Sequence, residues 1–514
     1  MIKEVNNKQI ALFSFFFAIA AIFLFGYQFN NGDQEEHLPY VYKLLNPSLY
    51  PTDYIVPLQT SQFTVRIYFA WFVYFLSYLG SVESVVFIVH FICLVVVNWS
   101  VTTMAIRRSS SAWTLVCTPL IIFLMNQVPL GGNGLLDIQL TCSMPALALG
   151  LAGLNSFDAG KFKQSFLLIG LSANFQVLMG MQLGGLLLLS MLTLREKYKF
   201  REVITSFLVL IISAAPMLIP ILIRQFGPVG NYNKTAYFNI LFLFRNAHHY
   251  APQCFVGLKY LGFFIISFLS FLLLKRKKVG NEYLQVLMIW VIIGCIVYSV
   301  GFILFESESV AKTQWFKSLV WFYYTVCVLF SSYVASVIHL SFPMKKMAAL
   351  GLSLSIIVIF MIFNSDSIPV DKLRYRYKVG NYPKADLQLM HEWINSNLPI
   401  EAKVLSFPGD DSFLCEAKRS TPVGFKAIIH EPQFIFPWYE NIRKFYGIST
   451  GDFTCQVKMT ALADSIYNSR SLAGIIPEDL PDYRLMKMEE DRVASVRVGD
   501  TVKIIGNFIL FRIK

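Results

Sequence analysis

Charge is scarce in this chain: 15% of its 514 residues are Asp, Glu, Lys or Arg, against 55% that are apolar, and the mean hydropathy is +0.54. That balance excludes a soluble domain of this length and indicates a polytopic membrane protein. A net charge of +12 would suggest acidic partners in a soluble chain. In a membrane protein the distribution of Lys and Arg among the loops carries the information, so nucleic acid is not an expected partner. The eight cysteines are scattered, mostly inside apolar runs, without CxxC or His-rich spacing, and indicate neither a zinc site nor a disulfide framework. A pairing of Cys415 with Cys455 stays open. Also missing are a GxGxxG after a strand, a Walker loop, HExxH and GxSxG. Gly131-Gly132-Asn133-Gly134 lacks a following Lys-Ser/Thr and reads as a flexible turn. An ATP-driven or nucleotide-sugar enzyme on the cytoplasmic side is thereby disfavoured.

What the sequence does hold is a series of long apolar runs. The first, Ile10 to Gly32, has no charged residue and is long enough to span. A cleaved signal peptide is the competing reading, since Ala18-Ile19-Ala20 resembles a cleavage site, but the apolar run continues well past it. Further spans are expected near 83–105, 112–129, 138–157, 166–179, 181–194, 203–223, 259–274, 284–305, 319–340 and 348–363. Segments 166–179 and 181–194 are short, and two half-length helices around Gly180, Gly184 and Gly185 would be tolerated where backbone lines a protein cavity. Phe63 to Gly80, aromatic but short and carrying Arg66, reads as a helix lying at the interface. With about eleven spans, Arg107-Arg108, Lys161 with Lys163, Arg195 to Arg201, Lys275 to Lys278 and Lys345-Lys346 fall on one side. By the positive-inside rule that side is the cytoplasm, with the N-terminus inside.

The other side then carries the long, varied loops, and function is expected there. Its most concentrated stretch is Asn30-Asn31-Gly32-Asp33-Gln34-Glu35-Glu36-His37-Leu38-Pro39-Tyr40, three acids and a histidine directly after the first span. Apolar residues at Leu38, Val41, Tyr42, Leu45 and Leu49 predict a short interfacial helix interrupted by Pro47. Asp33 with Glu36 three residues on is a capping box pattern, so both acids have a local reading beside a catalytic one. Glu35 reads as solvent-facing or as a binding residue, and Asp137 as a loop acid at a span end or a second active acid. Arg245-Asn246-Ala247-His248-His249-Tyr250 suits a lipid phosphate or a sugar, with histidine able to act as a general acid near neutral pH; the bland alternative is a loop among headgroups. Arg66, Arg224, Lys234 and Lys259 have headgroup contact as their default.

The domains are expected at 1–363, in the membrane, and 364–514, a soluble extracytoplasmic α/β domain. Expected there are a helix over 385–397 with Leu389, Trp393 and Ile394 inward, strands at 402–407, 421–425, 492–498, 502–505 and 508–513, and helices at 438–445 and 455–468.

A first span, an outer loop opening with acids, two interfacial helices, a second span ending in Arg-Arg, and a third followed by another outer Asp resemble the GT-C glycosyltransferase superfamily. That superfamily includes the protein O-mannosyltransferases, the aminoarabinose transferase of lipid A and the oligosaccharyltransferase catalytic subunit. Glu392-Trp393-Ile394-Asn395-Ser396-Asn397-Leu398-Pro399 also looks like the start of the C-terminal domain in some members. The resemblance implies a GT-C-like α-helical polytopic membrane fold with two interfacial helices and a C-terminal α/β domain. The implied location is the inner membrane, if the source is bacterial. The implied activity is inverting transfer of a sugar from a polyprenyl-phosphate-linked donor to a glycan, lipid or protein acceptor at the outer face, among membrane lipids. By position Asp33 matches the family's catalytic base and Asp137 its second outer acid, with Glu35 and Glu36 as neighbours able to share either role. Arg66, Arg245, His248 and His249 are the candidate substrate-binding residues; Asp33 and the His248-His249 pair are expected to converge on one cavity, with Arg245 or a histidine nearest the phosphate. A divalent cation at Asp33 and Asp137 is the one cofactor this pattern leaves open. No Trp-Trp-Asp occurs in the C-terminal domain, which argues against a peptide asparagine acceptor. The alternative reading is a non-catalytic polytopic carrier or assembly factor for envelope glycans or lipids.

Overall fold

The computed structural model describes residues 5–126, 129–131, 134–226, 230–275, 282–338, 384–452, 459–472, 475–488 and 499–514. Among these, six helices are long and apolar enough to cross a membrane: Asn7–Phe25, Val82–Ser109, Phe200–Arg224, Gly257–Leu274, Glu282–Ile303 and Glu308–Val337. The protein is a helical, multi-pass membrane protein. Shorter apolar helices lie at Thr114–Met125 and Val177–Thr193. The span expected at 348–363, the strand at 492–498 and the basic residues Lys345-Lys346 fall outside the described residues.

The chain forms two compact units. The first contains 1–27, 86–228 and 248–377; the second contains 28–85, 229–247 and 378–514. In the first, apolar helices pack through small residues and a few buried polar pairs, as association without a hydrophobic drive requires. Asn98 donates to Ser14 Oγ at 3.0 Å, joining the first two long helices. Asp158 holds Arg107 at 2.8 Å and Arg108 at 2.5 Å and accepts from the Tyr283 hydroxyl at 2.6 Å. The Arg-Arg pair that marks a span end therefore also binds three helix ends together. The short helices Phe162–Phe175 and Val177–Thr193 meet at Gln176, whose backbone is extended. The break precedes the glycines; Gly180 instead lets the second helix fold against the first, since a Cβ there would lie 2.4 Å from the Ala173 nitrogen.

In the second unit the two stretches expected to lie at the interface hold the helices Leu38–Leu45 and Ile67–Leu76, with a further short helix, Val56–Ser61, between them. Leu38, Val41 and Tyr42 are buried, and Ile67–Leu76, at ten residues, is too short to span. The C-terminal part begins with the helix Asp386–Asn397, which buries Met390, His391 and Ile394. Leu389 turns outward, 40% exposed, because the buried stripe runs through 390, 391 and 394. Four strands follow: β1 Val404–Leu405, β2 Tyr483–Lys487, β3 Asp500–Ile505 and β4 Phe508–Arg512. They form one sheet in the order β1-β2-β4-β3, with β1 parallel to β2 and the other pairs antiparallel. Tyr483 to Lys487, the strand β2, is absent from the expected strands, its Leu485-Met486 core being flanked by Arg484 and Lys487 without apolar alternation.

No strand forms at 421–425. Its backbone is engaged elsewhere: the Thr421 N–H donates to Asp53 Oδ2 at 2.9 Å, and the Thr421 carbonyl accepts from the Tyr54 N–H at 3.3 Å. The first loop continues this attachment, the Tyr50 hydroxyl donating to the Leu414 carbonyl at 2.7 Å and the Tyr54 hydroxyl to that of Gly424 at 3.0 Å. The helix expected at 438–445 occurs as Pro432–Asn441 followed by a wider turn to Tyr446, and the next as Met459–Ser469. Cys415 is a buried free thiol, so the pairing with Cys455, itself outside the described residues, is not made.

Candidate functional site

The acidic stretch after the first span folds as a single 3-10 turn, Gly32–Glu36, entered by Asn31, whose side chain accepts from the Gly32 N–H at 2.7 Å. Such a turn advances about a third of a circle per residue, so Asp33 and Glu36, three residues apart, leave it on one side and Glu35 leaves on another. The expected capping box at the interfacial helix is replaced: that helix starts after His37, and Asp33 and Glu36 form ion pairs instead.

Asp33 lies 2.8 Å from Lys426 Nζ, its side chain 57% exposed and that of Lys426 33%. Glu36 is largely buried and bonds the Arg66 guanidinium, with Arg245 3.6 Å from its other oxygen. Arg66 donates to the Ile428 carbonyl at 3.0 Å, and Arg245 donates to that of Lys426 and stacks over the Phe425 ring at 5.6 Å. Burial pulls Arg245 below the ordinary arginine range, against the pull of Glu36 and Asp33. Two acids and three cations thus share one cluster, exposed at Asp33, half-buried at Lys426, largely buried at Glu36 and Arg66, and buried at Arg245. Buried cations of this kind are stable only with a carboxylate or another anion beside them.

Glu35 is not solvent-facing. It is 5% exposed, and its two oxygens accept the backbone N–H groups of Leu414 and Cys415, capping the short helix Phe413–Ala417. Burial raises its pKa from 4.5 to about 8, the two amides offsetting part of that and Asp410 adding to it. A small cleft beside it is lined by Glu35, Asp410, Phe413, Thr421, Phe425 and Lys426. Behind Asp410 lies a buried network. His391 bonds Asp410 through Nε2 at 2.9 Å and Glu416 through Nδ1 at 3.0 Å, and Gln388 donates to Glu416 at 3.0 Å. Burial alone would lower the imidazole pKa, but the two carboxylates outweigh it and raise it to about 10, so His391 is a clamped imidazolium. With both nitrogens engaged it organises this part of the unit and has no nitrogen left for general base work.

The remaining predicted residues lie in the first unit. Asp137 accepts from Thr141 Oγ1 at 3.4 Å, in a loop fixed by bonds from the Tyr324 hydroxyl to the Leu135 carbonyl at 2.6 Å and from the Leu136 N–H to Asn126 at 2.7 Å. His248 and His249 sit on the short helix Ala247–Tyr250 with ring centres 4.0 Å apart. His249 Nδ1 bonds the Gly131 carbonyl at 3.0 Å, so the histidine pair reaches the same loop that carries Asp137. Among the described residues, no group of three or more His, Cys, Asp or Glu is placed to hold a metal ion, and Asp33 has an ammonium beside it.

Lys426, Asp53 and the His391 network carried no motif and are absent from the sequence reading, which includes His37 in the acidic stretch without giving it a role. The signal lay only in their being ionisable residues beside apolar or turn-forming ones, which is too common to single them out.

No curated protein matches the chain. A family model described as Domain of unknown function (DUF6798) matches residues 385–445, the segment that holds His391, Asp410, Glu416 and Lys426 and supplies the two amides bound by Glu35.

Proposed function

We propose that this protein is a GT-C-like membrane glycosyltransferase, with about eleven spans and its second unit on the outer face. It would transfer a sugar from a polyprenyl-phosphate-linked donor to an acceptor hydroxyl. The observation that carries this reading is the single cluster of Asp33, Glu36, Arg66, Arg245 and Lys426.

Displacing a lipid phosphate from an anomeric carbon needs a base for the acceptor and cations for the leaving group. Asp33, the exposed acid, takes the proton of the acceptor hydroxyl. That oxygen bonds the anomeric carbon from the face opposite the phosphate, the carbon–oxygen bond to phosphate breaks, and the polyprenyl phosphate leaves with the electron pair, inverting the centre. Arg66 and Arg245 hold that phosphate, and Glu36 holds the arginines in place. The Lys426 pair costs little to open, since exposed ion pairs are worth about 0–1 kcal/mol. Asp137, His248 and His249 enter this reading by their positions in the sequence, as a second acid and as headgroup contacts.

The second reading, a non-catalytic carrier or assembly factor for envelope glycans, is favoured by one observation: Asp33, Glu35 and Glu36 each already hold a partner, as a fixed binding platform would. Asp33→Asn separates the two. It keeps the shape of an exposed side chain while removing the base, so glycan or glycolipid product should fall by about 100-fold or more with expression and unfolding temperature unchanged. Normal product from that variant would sink the catalytic assignment. Mass spectrometry of co-purified lipid gives the companion test, a bound polyprenyl phosphate being expected.

A further inference from the structure

His37 ends the 3-10 turn that carries Asp33 and Glu36, and it starts the helix Leu38–Leu45. Its ring is 3% exposed and sits edge-on to Phe69 at 5.2 Å between ring centres. Its Nδ1 is buried and has no hydrogen-bond partner, although the charges of Arg66, Asp33 and Lys426 all act on it. A buried ring nitrogen left in this way costs about 1–3 kcal/mol, and folds retain such groups chiefly where something else satisfies them.

We propose that His37 Nδ1 is a hydrogen-bonding contact for a hydroxyl of the bound headgroup, a neutral contact within a charged site. The inference rests on the reading of the cluster as a sugar-phosphate headgroup site and adds to it a residue that recognises the sugar. Burial, with Arg66 next and Lys426 also contributing, pushes the imidazole down to about 3 against the opposing pull of Asp33, so the ring is neutral at physiological pH. A neutral ring adds no charge to hold phosphate, a task for which Arg66, Arg245 and Lys426 are already present. It presents at Nδ1 either an N–H or a lone pair, according to tautomer. A hydroxyl both donates and accepts, and so satisfies either form; a phosphate oxygen or an ammonium satisfies only one. The chemical class is therefore a polyhydroxylated group attached to phosphate, with His37 reading the hydroxyl and the cations the phosphate.

The test compares two probes on the full-length protein in nanodiscs: undecaprenyl phosphate, and undecaprenyl phosphate carrying mannose. The unchanged protein should bind both, the mannosyl lipid more tightly. His37→Phe should leave affinity for the bare lipid phosphate unchanged and lower that for the mannosyl lipid by about five- to tenfold, the worth of one hydrogen bond in a dry site. His37→Asn, which restores a polar atom near the Nδ1 position, should recover most of that preference at an unaltered unfolding temperature. Equal loss for both lipids in His37→Phe, or no preference for the mannosyl lipid in the unchanged protein, would overturn the role of His37 while leaving the phosphate site standing. Failure of the unchanged protein to bind either lipid would overturn the headgroup site itself, and His37's role with it.

Discussion

Glu35 accepts the backbone N–H of Leu414 at 2.6 Å and that of Cys415 at 3.1 Å, two amides nearly four hundred residues further along the chain. One carboxylate thereby ties the loop after the first membrane helix to the segment that matches a known domain family. Replacing it by alanine leaves two buried donors without acceptors, each costing about 1–3 kcal/mol. Glu35→Ala is therefore expected to lower the unfolding temperature and open residues 410–417 to proteolysis, whereas Glu35→Gln, which keeps one acceptor, should lose about half as much. Equal behaviour of Ala and Gln variants in a thermal scan would show that the amides do not depend on this side chain.

The second unit should also respond to pH through the same residue. Burial raises the Glu35 pKa from 4.5 to about 8, so the folded state binds this proton more tightly than the unfolded one. The resulting stabilisation is complete below pH 4.5 and is lost as pH rises to about 8. His391, raised from 6.5 to about 10 by its two carboxylates against the cost of burial, adds a loss in the same direction as pH climbs through 10. His37 acts oppositely: its contribution is present above 6.5 and lost as pH falls toward 3. Chemical denaturation across this range should show stability declining from mildly acidic to alkaline pH, with the segment between 4.5 and 8 flattened in Glu35→Gln. A slope identical to that of the unchanged protein would refute the assignment.

In the first unit, Gly150 permits a close helix crossing. A Cβ there would lie 2.4 Å from Cη2 of Trp321, a ring that is fully buried and has nowhere to move. Gly150→Val should cost about 1–3 kcal/mol by overpacking, seen as a lower unfolding midpoint in detergent. A compensating Trp321→Leu should recover part of it. Additive losses in the double variant would mean that the two side chains do not meet.

The proposed sidedness rests on the basic loops and is open to a direct test. Ser61 and Lys199 are both exposed, so a cysteine at either is accessible to reagent. A membrane-impermeant maleimide added to intact cells should label Ser61→Cys and spare Lys199→Cys until the cells are lysed. The reverse pattern would place the Asp33 cluster on the cytoplasmic side and end the outer-face reading.

Much of the membrane architecture was legible because the bilayer imposes it locally. A run of uncharged residues must close its own backbone hydrogen bonds as a helix, whatever surrounds it, and so Asn7–Phe25, Val82–Ser109 and Glu282–Ile303 follow from composition alone. The same local rule separated Ile67–Leu76, at ten residues, from the spans. Asp33, Glu36, Arg66 and Arg245 were nameable because acids and bases next to apolar runs are costly and therefore conspicuous. Their mutual pairing was not, since nothing in sequence sets which cation meets which acid.

The tertiary structure decided what no local rule reaches. Thr421, Val423 and Phe425 alternate as a strand would, yet Pro422 and Gly424 interrupt them and the Thr421 backbone is taken by Asp53 and Tyr54 from the first loop, so the segment stays irregular. Lys426 is an ordinary lysine in sequence and becomes the partner of Asp33 only through folding. Glu35 and Glu36 are adjacent and identical, and one caps a distant helix while the other holds two arginines. Sequence determines the cost of burying each of these charges. Only the packed chain determines which partner compensates it, because that choice is made by distances between segments far apart along the chain.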